Sequence, residues 1–280
     1  MFVFFNGRFV SEEKATVSIF DRGFLYGDGL YEAIRIYDGE PFLWSEHMAR
    51  FYAGAEFLKI TSPLDAGQIL NASRELIRRN GMKEAILRVT LSRGVGIRGA
   101  SPKGANKPTF AISLHPALDR KTLPRSYKLI ISSFILPEND PLSIYKTANK
   151  LRQAMARDEA DRAAVNEAVL LNNRGFVAEG TTTNVFWVEG KILCTPPLEA
   201  GILQGTTRGY LLRLAKALGI RSKEKNIRPD ALKSVDGLFV TSCGIEIMEV
   251  SHLNGKTMKR SPLVKILKSN YRQKEVPEAL

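Results

Sequence analysis

Polar and apolar positions along this 280-residue chain alternate between two periods. Short runs of period two predict strands at Phe2 to Phe5, Leu30 to Tyr37, Ala85 to Ser92 and Thr109 to Leu114. Apolar positions three and four apart predict helices over Glu46 to Leu58 and Ala66 to Asn80; in the first, Ser45 reads as the N-cap and Met48, Phe51, Ala55 and Leu58 as the buried stripe. The polar, proline-bounded Pro116 to Pro124 reads as a linker. Beyond it a strand is predicted at Tyr127 to Phe134. A helix then carries Lys146 or starts just after it, with Leu151, Met155 and Ala160 on its apolar stripe. A hairpin of Glu167 to Leu171 and Phe176 to Ala178 turns at Asn172-Asn-Arg-Gly175, where Asn and Gly accept positive φ. Strands near Val185 to Val188 and Lys191 to Cys194, a helix from Thr206 to Leu218 stopped by Gly219, and a last strand at Gly237 to Thr241 complete the series. Mixed strands and helices in this order imply an α/β or α+β protein. Its expected domains are residues 1–117 and 126–280, joined by a linker at 118–125.

Composition narrows the classes. With 44% apolar and 25% charged residues the chain is an ordinary globular sequence rather than a disordered one. Met1 to Phe5 has no basic lead-in and is too short for a signal peptide or a membrane span. The two cysteines, Cys194 and Cys243, supply neither a disulfide framework nor a metal spacing, which fits free thiols in the cytoplasm. A net charge of +12 raises nucleic-acid binding, but the basic residues are dispersed among 29 acids with no aromatic-interleaved tract. Attraction of anionic metabolites is the more economical use of that charge.

Chemistry concentrates in a few short runs. Lys146, in Ser143-Ile-Tyr-Lys-Thr-Ala-Asn-Lys150, is an amine that burial turns into a nucleophile able to form a Schiff base. An ordinary lysine is a solvated charge, so its context carries the claim. Glu179 ends a strand and precedes the polar Gly180-Thr-Thr-Thr-Asn184; it is either an exposed strand end or an acid that keeps a pyridine nitrogen protonated. Gly205-Thr206-Thr207 opens a helix whose first N–H groups suit an anion, although most Thr-capped helices bind nothing. A second small-polar turn, Thr241-Ser-Cys-Gly244, follows the last predicted strand, and Arg50 is the cation best suited to a bidentate phosphate contact. His47, three residues before Arg50, shares its helix face and reads as a structural hydrogen-bonder. Strand alternation places Tyr31, Ala33, Arg35 and Tyr37 on one face, which suits an anionic substrate or plain solvent.

Taken in order, Asp21-Arg-Gly-Phe-Leu-Tyr-Gly-Asp-Gly-Leu-Tyr-Glu32, His47 with Arg50, Lys146 with Asn149, Ala178-Glu-Gly180 with Asn184-Val-Phe186, Gly205-Thr-Thr-Arg208 and Phe239-Val-Thr-Ser242 resemble the class IV, fold-type IV pyridoxal-phosphate enzymes. That family holds D-amino acid transaminases, branched-chain L-amino acid transaminases and aminodeoxychorismate lyases. The resemblance implies a homodimer of two-domain chains, smaller N-terminal and larger C-terminal, with pyridoxal 5'-phosphate in the cleft between domains. It implies Lys146 as Schiff-base lysine and proton shuttle, Glu179 as pyridinium partner, and a phosphate cup of Arg50, Gly205, Thr206, Thr207, Ser242 and Cys243. Cys243 stands where the family commonly has Thr. Tyr31, Arg35, Arg98 and Gly244 are the implied substrate contacts, and no metal is implied. The run Lys146-Thr-Ala-Asn149-Lys150 is shorter than in branched-chain enzymes, and Tyr31 with Arg98 matches a D-amino acid carboxylate trap, with Ala100 where that trap has His. The resemblance therefore implies a transaminase working on amino acids and 2-oxo acids such as 2-oxoglutarate, D-amino acids slightly ahead of branched-chain L. A lyase releasing p-aminobenzoate and pyruvate is the alternative, and a basic nucleic-acid-binding protein a distant third. Ala33, where lyases tend to carry Thr, counts against the lyase.

Overall fold

The computed structural model describes residues 1–119 and 121–272; Arg120 of the expected linker and residues 273–280 of the expected C-terminal domain lie outside the described residues. Contacts divide the chain into two compact units, Met1–Asp119 with Tyr145–Lys150, and Arg120–Ile144 with Leu151–Leu280. The first boundary falls inside the predicted linker. The Lys146 segment groups with the first unit, whereas the sequence boundaries put it in the second.

The first unit runs β1 (Phe2–Phe5), β2 (Arg8–Ser11), α1 (Arg22–Tyr26), β3 (Gly29–Tyr37), β4 (Glu40–Pro41), α2 (Trp44–Leu58), α3 (Ala66–Asn80), β5 (Ala85–Ser92) and β6 (Thr109–Pro116). Its six strands form an antiparallel sheet in the order β2-β1-β6-β5-β3-β4. Alternate residues of the central strands, Leu30, Ile34, Ile36, Leu87, Val89, Leu91, Ile112 and Leu114, form one core with Met48, Phe51 and Ala55 of α2 and Ile69 and Leu76 of α3. Helix α3 starts where predicted because Asp65 and Gln68 form a reciprocal capping box. Helix α2 differs: it begins at Trp44, behind Leu43 in a left-handed conformation, so Ser45 lies inside the first turn and caps nothing.

The second unit runs β7 (Tyr127–Leu136), α4 (Leu151–Arg162), β8 (Glu167–Asn172), β9 (Val177–Gly180), β10 (Asn184–Glu189), β11 (Ile192–Thr195), α5 (Thr206–Ala217), β12 (Ser222–Glu224), α6 (Pro229–Leu232), β13 (Gly237–Ser242), β14 (Glu246–Leu253), β15 (Lys256–Thr257) and α7 (Pro262–Asn270). Its nine strands follow β12-β11-β10-β13-β14-β7-β8-β9, with β15 on β14. Because β9 also pairs with β10, the sheet from β10 round to β9 closes on itself. Two expectations fail here. The strand at Gly237 is not the last, since β14 pairs with it and runs on to a hairpin with β15. The buried stripe of α4 is Ala156 and Ala160, while Leu151 and Met155 are exposed. Small residues let α4 lie close on β7 and β8, and its larger apolar side chains are left outside.

Candidate active site

Lys146 is held by backbone pairing. Strand β4 pairs only with Ile36 and Tyr37 of β3, and the Lys146 segment pairs antiparallel with the first residues of β3 through a bridge between Leu30 and Thr147. The Tyr31 N–H donates to the Lys146 carbonyl at 2.9 Å and the Ala148 N–H to the Gly29 carbonyl at 2.8 Å. Helix α4 starts only at Leu151, so Lys146 lies on this extended segment rather than on a helix. Its Nζ stands 4.7 Å from the centre of the Tyr31 ring. Arg88 of the neighbouring strand β5 stacks its guanidinium 3.8 Å from the same centre. Burial would raise the Tyr31 hydroxyl, but the charges of Lys146, Lys150 and Arg88 outweigh it and bring its pKa below the usual tyrosine value.

A buried carboxylate organises the next part. Glu32 falls on the apolar face of β3 with Leu30, Ile34 and Ile36, and it is only 1% exposed. It survives there because α2 brings two donors to it: Arg50 Nε donates to Oε1 at 2.8 Å and Nη2 to Oε2 at 2.7 Å, and His47 Nδ1 lies 2.7 Å from Oε2. Burial pushes Glu32 upward, yet Arg50 and His47 overcome it and hold the carboxyl down at about 2. His47 moves below the ordinary histidine value, chiefly through burial, with the charges of Arg50 and Lys146 adding to it. The neutral ring therefore donates its Nδ1 proton to Glu32.

The remaining sequence candidates of the first unit stand elsewhere. Arg35 is engaged by the Glu84 carboxylate and the Ala85 carbonyl, and it lies over the Tyr37 ring. Arg98 is exposed on the loop between β5 and β6. That loop is fastened by buried Arg22, whose guanidinium donates to the carbonyls of Gly99, Ala100 and Ser101 at 2.8–3.0 Å and to Asp28 at 2.8 Å.

In the second unit Glu179 is the penultimate residue of β9 and pairs with Asn184, the first residue of β10. Its Oε2 accepts from the Leu203 N–H at 2.8 Å and, more weakly, from Asn184 Nδ2 at 3.5 Å, while the same Nδ2 donates to the Leu203 carbonyl at 3.0 Å. Two residues on, Gly205 is the N-cap of α5 and offers no side-chain cap to Thr206 and Thr207. A Cβ at Gly205 would lie 2.0 Å from Asn184 Oδ1, so this helix start sits against Asn184 only because residue 205 is glycine. Asn184 pairs in turn with Thr241 of β13, which puts both side chains on one face. Ser242, Cys243 and Gly244 follow at the β13–β14 turn, half-buried.

This group of residues in the second unit fits an anionic, aromatic cofactor on two counts. The Thr241 hydroxyl is 1% exposed and has no hydrogen-bond partner, a cost that a bound acceptor or donor removes. The donor set is complementary as well: a fixed carboxylate at Glu179 for a protonated ring nitrogen, and an uncapped helix start for a phosphate. Sequence reasoning passed over Glu32, Arg88 and Thr241. Two of them left a signal: Thr241 stands in the Thr-Ser-Cys-Gly turn already singled out, and Glu32 closes the run that begins at Asp21.

Comparison with known proteins identifies the family. The sequence model of the family Amino-transferase class IV matches residues 29–253. The chain is 37% identical over 271 residues to a protein of Methanocaldococcus jannaschii described as a putative branched-chain-amino-acid aminotransferase, covering 96% of this chain and 93% of that one. It is 32% identical to the aminodeoxychorismate lyase of Bacillus subtilis (88% and 84% covered) and 31% identical to the D-alanine aminotransferase of Bacillus licheniformis (92% and 90% covered). Its backbone superposes with a TM-score of 0.89 on the T.th. branched-chain amino acid aminotransferase solved with pyridoxamine 5'-phosphate, at 28% identity and 96% and 92% coverage. Strands, helices and a lysine fixed by backbone pairing thus have one common explanation: the chain belongs to the class IV aminotransferases, and it is a pyridoxal-phosphate-dependent aminotransferase of fold type IV.

Proposed function

We propose that the chain exchanges the amino group of a branched-chain L-amino acid with a 2-oxo acid such as 2-oxoglutarate. The observation that carries the amino-transfer reading is Lys146, its amine placed over Tyr31 by the pairing of its own backbone with β3. Bound pyridoxal phosphate supplies a ring that accepts the electron pair released when the substrate Cα–H bond breaks. Lys146 Nζ takes the proton from the substrate Cα and returns it on the far side of the cycle. Glu179, oriented by the Leu203 N–H, is the anion that keeps the ring nitrogen protonated. Arg50, steered by Glu32, binds phosphate together with Gly205, Thr206, Thr207, Ser242 and Cys243. Tyr31 and Arg88 orient the substrate carboxylate, with Arg98 and Gly244 as outer contacts.

Branched-chain L-amino acids take precedence over the D-amino acids favoured by the sequence motifs for two reasons. Arg35 is occupied by Glu84, and position 100 presents to Arg22 only its carbonyl, so a D-type trap lacks supporting side chains there. The relative at 37% identity is described as a putative branched-chain enzyme. A D-amino acid reading retains one specific support, Arg98 exposed on the β5–β6 loop that Arg22 fastens. Single-enantiomer half-reactions decide: L-leucine or L-valine converts the bound cofactor to its amine form, and conversion by D-alanine alone overturns the assignment. Pyruvate release from aminodeoxychorismate without a 2-oxo acid marks the lyase instead. Lys146→Ala removes activity and the Schiff-base absorption band together; retention of both would refute the enzyme reading.

A homodimer accounts for the apolar surface around α1, where Phe24 is 72% exposed beside Ile19, Phe20 and Leu25. Phe24→Glu then shifts the protein to monomer on size-exclusion chromatography. No helix among the described residues is long and apolar enough to cross a membrane, and two thiols outside any disulfide fit the cytoplasm.

A further inference from the structure

Glu167 is a buried acid without a part in the amino transfer described above. It opens β8 and is 2% exposed. Apart from the adjacent Ala168 N–H, the donors that reach it belong to one short stretch. Oε1 accepts from the N–H groups of Ala168 and Thr181 at 2.9 and 3.1 Å and meets the Thr181 hydroxyl at 2.5 Å. Oε2 accepts from the Thr182 N–H at 3.4 Å and meets the hydroxyls of Thr182 and Thr183 at 3.4 and 3.2 Å. Thr181 and Thr183 are therefore buried around a carboxylate, with Thr182 exposed between them, which explains why two hydroxyls stand in an otherwise apolar region.

These three residues connect β9 to β10. The two strands share a single paired position, Glu179 with Asn184, and the turn closes with the Gly180 N–H donating to the Thr183 carbonyl at 2.7 Å. One rung of ladder fixes little by itself. The turn's N–H groups have no strand opposite them, and Glu167 receives two of them at one side chain. A Cβ on Gly180 would lie 2.1 Å from the Thr183 hydroxyl and 3.1 Å from Glu167 Oε2, so the turn is drawn tightly onto the acid.

We infer that Glu167 is a positioning residue for Glu179: its carboxylate gathers the Thr181–Thr183 turn and so keeps Glu179 opposite Asn184, where Leu203 and Asn184 aim it. The inference rests on the reading of Glu179 as the ring-nitrogen partner. The carboxylate is needed rather than its shape. Hydroxyls can rotate to accept, but each oxygen also faces a backbone N–H, so a Gln amide nitrogen meets a donor in either orientation.

The test measures cofactor binding and spectrum. Loss of one charge-assisted bond of this kind is worth about 1.5–3 kcal/mol, or about 10- to 100-fold in an equilibrium constant. In Glu167→Gln, pyridoxal phosphate binds about tenfold or more weakly in equilibrium dialysis, and the long-wavelength band of the protonated bound cofactor weakens as it does in Glu179→Gln. Thr181→Val, which keeps the backbone donor and loses one hydroxyl, gives the same changes in smaller degree and serves if Glu167→Gln does not fold. A folded Glu167→Gln protein with unaltered band and affinity, beside a Glu179→Gln protein that has lost both, overturns the inference alone. An unaltered Glu179→Gln protein instead overturns the reading on which it rests.

Discussion

Glu32→Gln is the sharpest perturbation of the first unit. The variant keeps the volume of a side chain that is 1% exposed and removes the charge that Arg50 and His47 address through three contacts of 2.7–2.8 Å. Breaking a buried pair by removing one partner costs about 3–5 kcal/mol, because the other charge remains buried without compensation. Linkage gives an independent figure. The carboxyl falls from 4.5 to about 2, and a depression of that size is worth about 3 kcal/mol. The sign follows from the depressed value: the contribution is full above pH 4.5 and disappears as the pH falls through about 2. Urea unfolding of the cofactor-loaded protein should show wild type ahead of Glu32→Gln by about 3 kcal/mol at pH 5 to 7, with the gap down to less than half near pH 3. A gap that stays constant between pH 7 and pH 3 would refute the pairing as its source, and a gap under about 1 kcal/mol would refute the buried-pair argument altogether. Cofactor affinity should fall in the same variant, since the Arg50 guanidinium loses the carboxylate that fixes two of its nitrogens.

Two substitutions probe the second unit. Thr241→Val replaces a buried hydroxyl without a partner by a methyl of the same shape; without cofactor the protein should melt no lower than wild type, while pyridoxal phosphate binds about tenfold more weakly in fluorescence titration. Equal affinity would mean that the hydroxyl serves no ligand. Gly205→Ala drives a methyl to within 2.0 Å of Asn184 Oδ1, so the amide must turn away from the Leu203 carbonyl and Glu179, at about 1–3 kcal/mol of stability in denaturant unfolding. Unchanged stability would show that the helix start can move off Asn184 freely.

Periodicity found most of the scaffold because its segments bury one face. The strands at Phe2, Ala85 and Gly237 and the helix at Ala66 start at their predicted residues, each set by a pattern of alternate or three-and-four spaced apolar positions. Where the pattern lost its meaning the reading failed. Leu151 and Met155 form a regular stripe on α4, yet alanines make the contact with the sheet and the larger side chains stay exposed. Helix α2 began two residues before its predicted start because Leu43 adopts a left-handed conformation, which its side chain does not announce. At the candidate site, Lys146 and Glu179 stand out in the sequence through the residues that follow them. Arg35 was not, because the Glu84 that occupies it stands 49 positions away.

The same distance in sequence hid both buried acids. Glu32 occupies an apolar period of β3, and Glu167 opens a run of Ala-Val-Leu-Leu in β8, so each looks like an interruption of a hydrophobic pattern. A carboxylate at such a position is tolerable only if donors arrive from elsewhere in the chain: α2 supplies them to Glu32, and the β9–β10 turn to Glu167. In both cases the donors belong to, or adjoin, a residue read as holding the cofactor, Arg50 in one unit and Glu179 in the other. An apolar residue could fill either space, but it would leave those donors buried and unpaired, with the residue they orient free to turn. Charge at positions 32 and 167 thus matches the donors gathered around each carboxylate, which is why glutamine, nearly identical in shape, is the informative replacement at each.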